Sequence, residues 1–204
     1  AVLSSFQTII QYVFFYLGLA YTSGERASVI QGTNVFFALI ISSLLFKMEK
    51  LSLNKIFGCI VGFAGVILVS LDIFTQSADK SFVGEIMVLI CTVSYSFSSV
   101  FMKKYSKSDN PAMLSGWQFV LGGFVLIAIG FLGGGRLSVN GISSVLLLLY
   151  LALVSAVAYS IWSILLKHNP VSRVAVCGFL IPIFGFVLSS LFAGDSSKTG
   201  IIGI

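Results

Sequence analysis

Seven continuous apolar stretches of about twenty residues fill most of this 204-residue chain, and short linkers between them hold nearly all of its charge. At a rise of about 1.5 Å per residue, each stretch can cross a hydrocarbon core of about 30 Å as a helix. None shows the two-residue alternation of membrane β-strands. We therefore predict an all-α membrane protein, a polytopic helical bundle. The stretches, numbered as segments 1 to 7, are Ser4–Thr22, Ala27–Lys47, Leu53–Asp72, Phe82–Met102, Pro111–Leu132, Ile142–Leu166 and Val171–Ala193.

The composition excludes a water-soluble or nucleic-acid-binding protein. Charged residues make up 9% of the chain, against about 25% in an ordinary soluble domain. The net charge of +5 comes from basic residues at segment ends, which form no stripe with interleaved aromatic residues. We expect the lipid bilayer as the main partner and no nucleic acid. The three cysteines, Cys59, Cys91 and Cys177, lie inside apolar segments, so we expect them to pack as small hydrophobic residues.

The basic residues also predict how the chain is oriented in the membrane. The turns after segments 2, 4 and 6 together contain eight lysines or arginines, whereas the other four turns contain one each. Short cytoplasmic loops carry the excess of basic residues in multi-pass proteins. The start of segment 1 is therefore predicted to lie inside, and we expect a multi-pass protein of the cell (cytoplasmic) membrane.

The chain contains a weak internal repeat. When it is shifted by 147 residues, Arg26–Leu45 aligns with Arg173–Phe192 and six of the twenty positions are identical. The same shift pairs Tyr12 with Tyr159 and Phe15 with Trp162. Segments 2 and 7 are an odd number of segments apart, so the two copies cross the membrane in opposite directions. Inverted repeats of this kind are typical of secondary transporters, whose central site lies between the two halves. We predict inverted five-helix repeats, with about seven of ten helices present.

Several motifs carry a resemblance to a known family. The run from Glu25 to Leu51, followed by Gly58 and Gly62, resembles the end of the first EamA repeat of the drug/metabolite transporter superfamily. In the second half the matching runs are Gly84-Glu85, Asn169-Pro170-Val171, Phe179–Gly185 and Ser189–Asp195. Two positions depart from the family pattern: the first repeat lacks a proline around Asn34, and Asp195 replaces the usual glutamate.

This resemblance implies that the segments correspond to helices three to nine of a ten-helix protein. Residues 1–78 would then form the C-terminal part of the first repeat, with three helices. Residues 79–204 would form a second repeat that lacks most of its last helix. We accordingly expect the chain to be a piece of a longer membrane protein. The implied function is a permease or exporter of small organic metabolites or drugs that works by alternating access.

Two alternative functions stay open at this stage. One is a lipid flippase-like protein within the same superfamily, and the other is a seven-helix receptor-like protein. A retinal-binding receptor would need a lysine inside its last helix, and segment 7 has none between Arg173 and Asp195. An enzyme is not expected, because the single histidine, His168, lies at the end of segment 6 and the seven acidic residues lie at segment ends or in turns. No cofactor, metal or catalytic group is predicted.

Polar and aromatic side chains inside the segments are the candidates for a substrate cavity. An amide or hydroxyl group in hydrocarbon needs a partner, so such groups should point into the bundle. Hydrogen bonding between helices is the alternative explanation for any one of them. The candidates are Gln11, Tyr12, Asn34, Tyr95, Gln118, Tyr159 and Trp162.

Small residues and one proline are candidates for helix packing. Gly58, Gly62 and Gly65 allow a close approach of helix backbones, either within the bundle or in a homodimer. Pro182 interrupts the helical hydrogen bonds of segment 7 and predicts a kink there.

Overall fold

The computed structural model of the chain describes residues 1–69, 82–135, 141–180 and 183–184. All regular secondary structure within these ranges is helical, which confirms the predicted all-α class. A π-helical turn, Ser4–Ile10, leads into α1, a second one, Ile41–Leu45, follows α3, and a 3₁₀ turn, Val176–Phe179, follows α8. The α-helices are α1 (Gln11–Tyr21), α2 (Gly24–Gly32), α3 (Asn34–Ile40), α4 (Leu53–Val69), α5 (Phe82–Tyr105), α6 (Pro111–Leu132), α7 (Ile142–His168) and α8 (Val171–Ala175).

Within the described ranges, four helical runs are long and apolar enough to cross a membrane. They are Arg26–Leu45, Phe82–Tyr105, Pro111–Leu132 and Ile142–His168, and Leu53–Gly65 is a shorter apolar helix. Segment 1 is helical from Ser4 to Tyr21, but its glutamines and tyrosines make it more polar than these four. Pro182 and most of the second half of segment 7 lie outside the described residues, so the predicted kink stays a prediction.

Local capping explains where two of the helices begin. The Ser23 side chain accepts a hydrogen bond from the backbone nitrogen of Arg26 at the start of α2. Asn110 does the same for Ala112 at 3.0 Å, and Pro111 fills the first helical position of α6. A side-chain oxygen at this position satisfies a backbone N–H group that has no helical partner.

Helix α5 is the centre of the bundle and packs against α1, α2, α3 and α7. Its buried face is rich in serine, and these hydroxyls hydrogen-bond across to the first half of the chain. Ser94 donates to the carbonyl of Phe6 at 2.7 Å, and Ser98 donates to Gln7 Oε1 at 2.6 Å. Small hydroxyl side chains allow helices to approach closely in a bilayer while still meeting each other's polar groups.

Helices α1 and α5 approach each other closely through two glycines. A Cβ atom built on Gly84 would lie 2.9 Å from the Gly18 carbonyl oxygen and 2.8 Å from Tyr21 Cβ. A Cβ atom on Gly18 would lie 2.7 Å from Val88 Cγ2. The crossing of these two helices therefore depends on the absence of side chains at both positions.

A network of hydrogen bonds ties together the turns at the lysine-rich end of the bundle. Glu49 accepts from Lys55 Nζ at 2.8 Å and from both the backbone nitrogen and the hydroxyl of Ser172. Lys103 Nζ donates to the carbonyl oxygens of Leu166 at 3.0 Å and Asn169 at 2.7 Å, at the end of α7. A cation at this position offsets the negative end of the helix dipole. The network joins the turn after segment 2 to the start of segment 7.

Glu49 gives this network a dependence on pH. Burial raises the pKa of Glu49, but the hydrogen bonds from Lys55 and Ser172 outweigh burial and hold that pKa below its ordinary value of 4.5. A carboxylate with a lowered pKa stabilises the folded protein above its ordinary pKa, and this contribution is lost as the pH falls through the lowered value. The melting temperature of the wild type should therefore exceed that of Glu49→Gln near neutral pH, and the difference should shrink below pH 4.5.

Thermal melts of the two purified proteins across this pH range test the expectation. Ser172→Ala is the matched control, because it keeps the carboxylate and removes one hydroxyl donor. Its melting temperature should fall between those of the other two proteins at neutral pH. A gap between wild type and Glu49→Gln that stays constant with pH would contradict the assignment.

The cysteines follow the packing prediction at two of three positions. Cys59 and Cys91 are buried, as expected of small hydrophobic residues. The prediction is wrong for Cys177, which is exposed in the 3₁₀ turn after α8.

Candidate functional site

A cavity of about 120 Å³ lies where the two halves of the chain meet. Its walls come from segments 1, 2, 4, 6 and 7, and we call it the polar cavity. Four of the seven cavity candidates predicted from the sequence, Gln11, Asn34, Tyr95 and Tyr159, line it. Among the residues that the structure describes, the lining is Gln11, Gln31, Asn34, Cys91, Thr92, Tyr95, Tyr159 and Gly178.

Asn34 is held in place from α5. Segment 2 is interrupted at Thr33, which separates α2 from α3, so Asn34 is the first residue of α3. The Ser96 hydroxyl lies 2.6 Å from Asn34 Oδ1, and Asn34 is only 5% exposed. The Asn34 amide nitrogen faces Gly178, where an added Cβ atom would lie 3.9 Å from it. Gly178 therefore leaves the space beside this amide open.

Two tyrosines meet at the border of the polar cavity. The hydroxyls of Tyr12 and Tyr159 are 3.3 Å apart. Tyr12 and Tyr159 are 147 residues apart, so they occupy equivalent positions in the internal repeat. Equivalent residues of two symmetry-related repeats can touch each other only near the symmetry axis. The polar cavity therefore lies beside the axis that the internal repeat predicts.

The same shift relates a second pair in the cavity lining. Gln31 and Gly178 are also 147 residues apart, and both line the cavity. The glutamine side chain enters the cavity from the first half, whereas its equivalent in the second half has no side chain. The two repeats thus contribute equivalent positions to the same cavity, but with different side chains.

Tyr95 and Trp162 form an aromatic wall. Their ring centroids are 6.2 Å apart, with an angle of 30° between the planes. Trp162 is not among the described residues that line the cavity, so it contributes through its contact with the Tyr95 ring. Its Nε1 atom is buried and has no hydrogen-bond partner in the described part of the chain.

Gln118 lies apart from the polar cavity. It is 2% exposed, and both polar atoms of its side chain lack a partner among the described residues. Its backbone carbonyl accepts a hydrogen bond from Thr8 at 3.4 Å, where segments 1 and 5 pack together. Gln118 is thus directed into the bundle, as predicted, but it is not among the residues that line the cavity.

Four residues at the polar cavity were not among the predicted cavity candidates: Cys91, which was expected only to pack as a small hydrophobic residue, and Thr92, Ser96 and Gly178. A signal for each was nevertheless present in the sequence. Cys91 and Tyr95 are four residues apart on α5, as are Thr92 and Ser96, so each pair lies on one face of the helix. Gly178 could have been found as the repeat equivalent of Gln31.

A second, larger groove of about 690 Å³ runs along segments 1, 5 and 6. Tyr12 borders it, but the rest of the lining is mostly apolar and includes Val13, Leu17, Phe119 and Leu126. Apolar groups of this kind cannot orient a solute by hydrogen bonds. The polar cavity is therefore the better candidate for a binding site, although it is smaller.

The packing glycines differ in what they touch. A Cβ atom on Gly62 would lie 2.5 Å from Phe179 Cε2, so Gly62 lets α4 approach the 3₁₀ turn of segment 7. Apart from the chain neighbours and the backbone of the same helix, no heavy atom of the described residues lies within 4 Å of a Cβ atom on Gly58 or Gly65. The packing role of those two glycines, within the bundle or in a homodimer, stays a prediction.

An ion pair joins the two halves at the other end of the bundle. The Nη1 atom of Arg26, at the start of segment 2, lies 2.8 Å from the Oε1 atom of Glu85, at the start of segment 4. The side chains are 12% and 28% exposed, respectively. The polar cavity lies between this ion pair and the Glu49 network, so each end of the bundle has a polar link between the halves.

The chain is similar to known proteins of one family. The model of the EamA-like transporter family matches residues 1–71 and 82–204. A solved crystal structure superimposes with a TM-score of 0.76 at 16% sequence identity, covering 95% of this chain and 66% of the other. This likeness supports the same helical fold.

Several curated relatives carry transporter names. An uncharacterized transporter of Archaeoglobus fulgidus is 27% identical and aligns with 95% of this chain and 68% of its own length. The uncharacterized transporter YvbV of Bacillus subtilis is 28% identical over 86% of this chain and 57% of its own. A WAT1-related chloroplastic protein of Arabidopsis thaliana is 26% identical over 91% of this chain. The chain spans about half (47%) of the length of that plant relative.

Proposed function

The chain belongs to the EamA-like transporter family, and on this premise we propose that it carries a small organic metabolite or drug across the cell membrane through the polar cavity. It is a multi-pass membrane protein, and its relatives are named as transporters. The observation that carries it is the polar cavity itself, which both halves of the chain line beside the Tyr12–Tyr159 contact.

The chemistry of the cavity favours a solute pathway over structural packing. Its walls offer amide, hydroxyl and thiol groups, most of them on helices that are long and apolar enough to cross a membrane. Polar groups within such helices are costly unless they have partners, and they commonly mark a substrate path. In a protein that transports solutes, the solute supplies those partners each time it binds.

Alternating access is the mechanism we propose. The Arg26–Glu85 ion pair closes one end of the bundle, and the Glu49–Lys55–Ser172 network closes the other. Each joins residues of the first half to residues of the second. Opening one while the other stays formed would expose the polar cavity to one side at a time, as the halves rock about it.

A counterflow assay tests the proposal. The purified protein is reconstituted into vesicles that are loaded with unlabelled solutes of several charge classes, and entry of each labelled solute is followed. We expect at least one small organic solute to accumulate in these vesicles and not in protein-free vesicles. A failure of every class to exchange, with correctly inserted protein, would contradict a transport function.

The lipid flippase-like alternative has its own readout in the same vesicles. Fluorescent lipid would become accessible to an external quencher faster than in protein-free vesicles. The larger apolar groove on segments 1, 5 and 6 is the feature that favours this candidate.

A further inference from the structure

We propose that the polar cavity selects uncharged solutes that carry both a hydrogen-bond donor and an acceptor, such as a carboxamide, over carboxylate or ammonium analogues of the same shape. This inference rests on the proposed transport function and names its substrate class. It follows from the charge, the amide orientation and the size of the cavity.

Within the described part of the chain, the lining of the polar cavity carries no formal charge. Its eight residues are amides, hydroxyls, a thiol and a glycine, with no aspartate, glutamate, lysine, arginine or histidine among them. The ion pairs of the described residues, Arg26–Glu85 and Lys55–Glu49, lie at segment ends. An ion that enters a low-dielectric site without a counter-charge loses its hydration and gains little in return. A neutral solute avoids that loss.

The contact with Ser96 decides which end of the Asn34 amide faces the cavity. The separation of 2.6 Å between Ser96 Oγ and Asn34 Oδ1 suits an O–H···O bond and is short for an N–H···O bond. The oxygen of the amide therefore faces Ser96, and its NH₂ group faces the cavity beside Gly178. Asn34 thus offers the solute a hydrogen-bond donor.

Gln11 supplies the complementary group. Its Oε1 atom is buried and has no hydrogen-bond partner in the described ranges, while the residue lines the cavity. A buried acceptor that lacks a donor is unfavourable, so a solute that donates to it gains affinity. The Tyr95 ring, supported by Trp162, provides a flat wall for an apolar or aromatic part. The walls therefore match a carboxamide, whose oxygen accepts and whose nitrogen donates.

The size of the cavity limits the solute. At about 120 Å³ it is well below the range of about 300–1,000 Å³ that is usual for pockets of drug-sized ligands. A cavity of this size suits a small metabolite better than a drug.

Binding of three matched probes tests the inference. Nicotinamide, nicotinate and 3-picolylamine share one ring and differ in whether the substituent is neutral, anionic or cationic at neutral pH. In equilibrium binding to the purified protein, the dissociation constant of nicotinamide should be lower than that of either charged probe by about tenfold or more. Asn34→Asp should invert this preference towards 3-picolylamine, because it places a carboxylate where the donor was.

Asn54→Asp is the matched control, because Asn54 is exposed at the start of α4 and takes the same chemical change far from the lining. It should leave the order of the three probes unchanged. If Asn34→Asp fails to fold, Gln11→Glu introduces a carboxylate at another lining residue and should produce the same inversion.

Two outcomes would overturn the inference: either charged probe binds as tightly as nicotinamide, or nicotinamide fails to bind at millimolar concentration. Neither outcome decides the transport function, which the counterflow assay measures with solutes of every charge class. A protein that exchanges an ion would keep the proposed function and lose the proposed specificity.

Discussion

Gly84→Ala is expected to lower the melting temperature of the purified protein by several degrees, whereas Gly58→Ala should leave it unchanged or slightly higher. The Cβ atom at residue 84 would lie 2.9 Å from the backbone oxygen of Gly18, and a backbone atom cannot rotate away. Overpacking of this kind costs about 1–3 kcal/mol. For a chain of this length, each kcal/mol corresponds to about 2–4 °C in melting temperature.

Gly58 is the matched control because, apart from its chain neighbours and the backbone of its own helix, no described atom lies within 4 Å of its Cβ position. Alanine at such a site in a helix usually adds about 0.5–1 kcal/mol of stability, so the two substitutions should act in opposite directions. Gly18→Ala should resemble Gly84→Ala, since it faces the same crossing. Equal shifts for residues 58 and 84 would show that α1 and α5 do not approach as closely as the structure has them.

Gly178→Phe is expected to reduce solute exchange at least tenfold while leaving the protein folded. Gly178 borders the polar cavity beside the Asn34 amide, and an aromatic ring there would occupy most of a space of about 120 Å³. A solute that must pass through this space would be excluded. Initial rates of counterflow, normalised to the amount of inserted protein, give the measurement.

Gly178→Ala is the control for this substitution. Its Cβ atom would make an ordinary contact of 3.9 Å with Asn34 Nδ2, so most of the cavity stays open. We expect this variant to retain most of the exchange activity and the wild-type melting temperature. Wild-type exchange by Gly178→Phe would mean that the solute path runs elsewhere in the protein.

The sequence predicted the long helices well because their signals are local. Segment 5 was predicted as Pro111–Leu132 and has those bounds, since Asn110 and Pro111 define its start within a few residues. Segment 4 was predicted to end at Met102 and continues to Tyr105, because its lysines still take part in the helix. Continuous apolar runs and capping residues can be recognised in the sequence without knowing which helices pack together.

The features that depend on neighbouring helices were not predicted. The break at Thr33 is followed by the contact of Asn34 with Ser96, which lies 62 residues further along the chain. The Gly18–Gly84 crossing likewise joins residues that no local pattern connects. Gln118 was correctly expected to face inward, but the rotation of a helix within a bundle decides which inward space a side chain reaches.

The central claim is that the polar cavity opens alternately to the two sides of the membrane, and Cys91 allows a direct test. The chain has three cysteines, so replacing Cys59 and Cys177 by serine leaves Cys91 as the only thiol, 1% exposed in the cavity lining. In reconstituted vesicles, the account predicts that a small membrane-impermeant thiol reagent modifies Cys91 from either side, and more slowly when transported solute is present. Modification from one side only, or none while exchange continues, would contradict it.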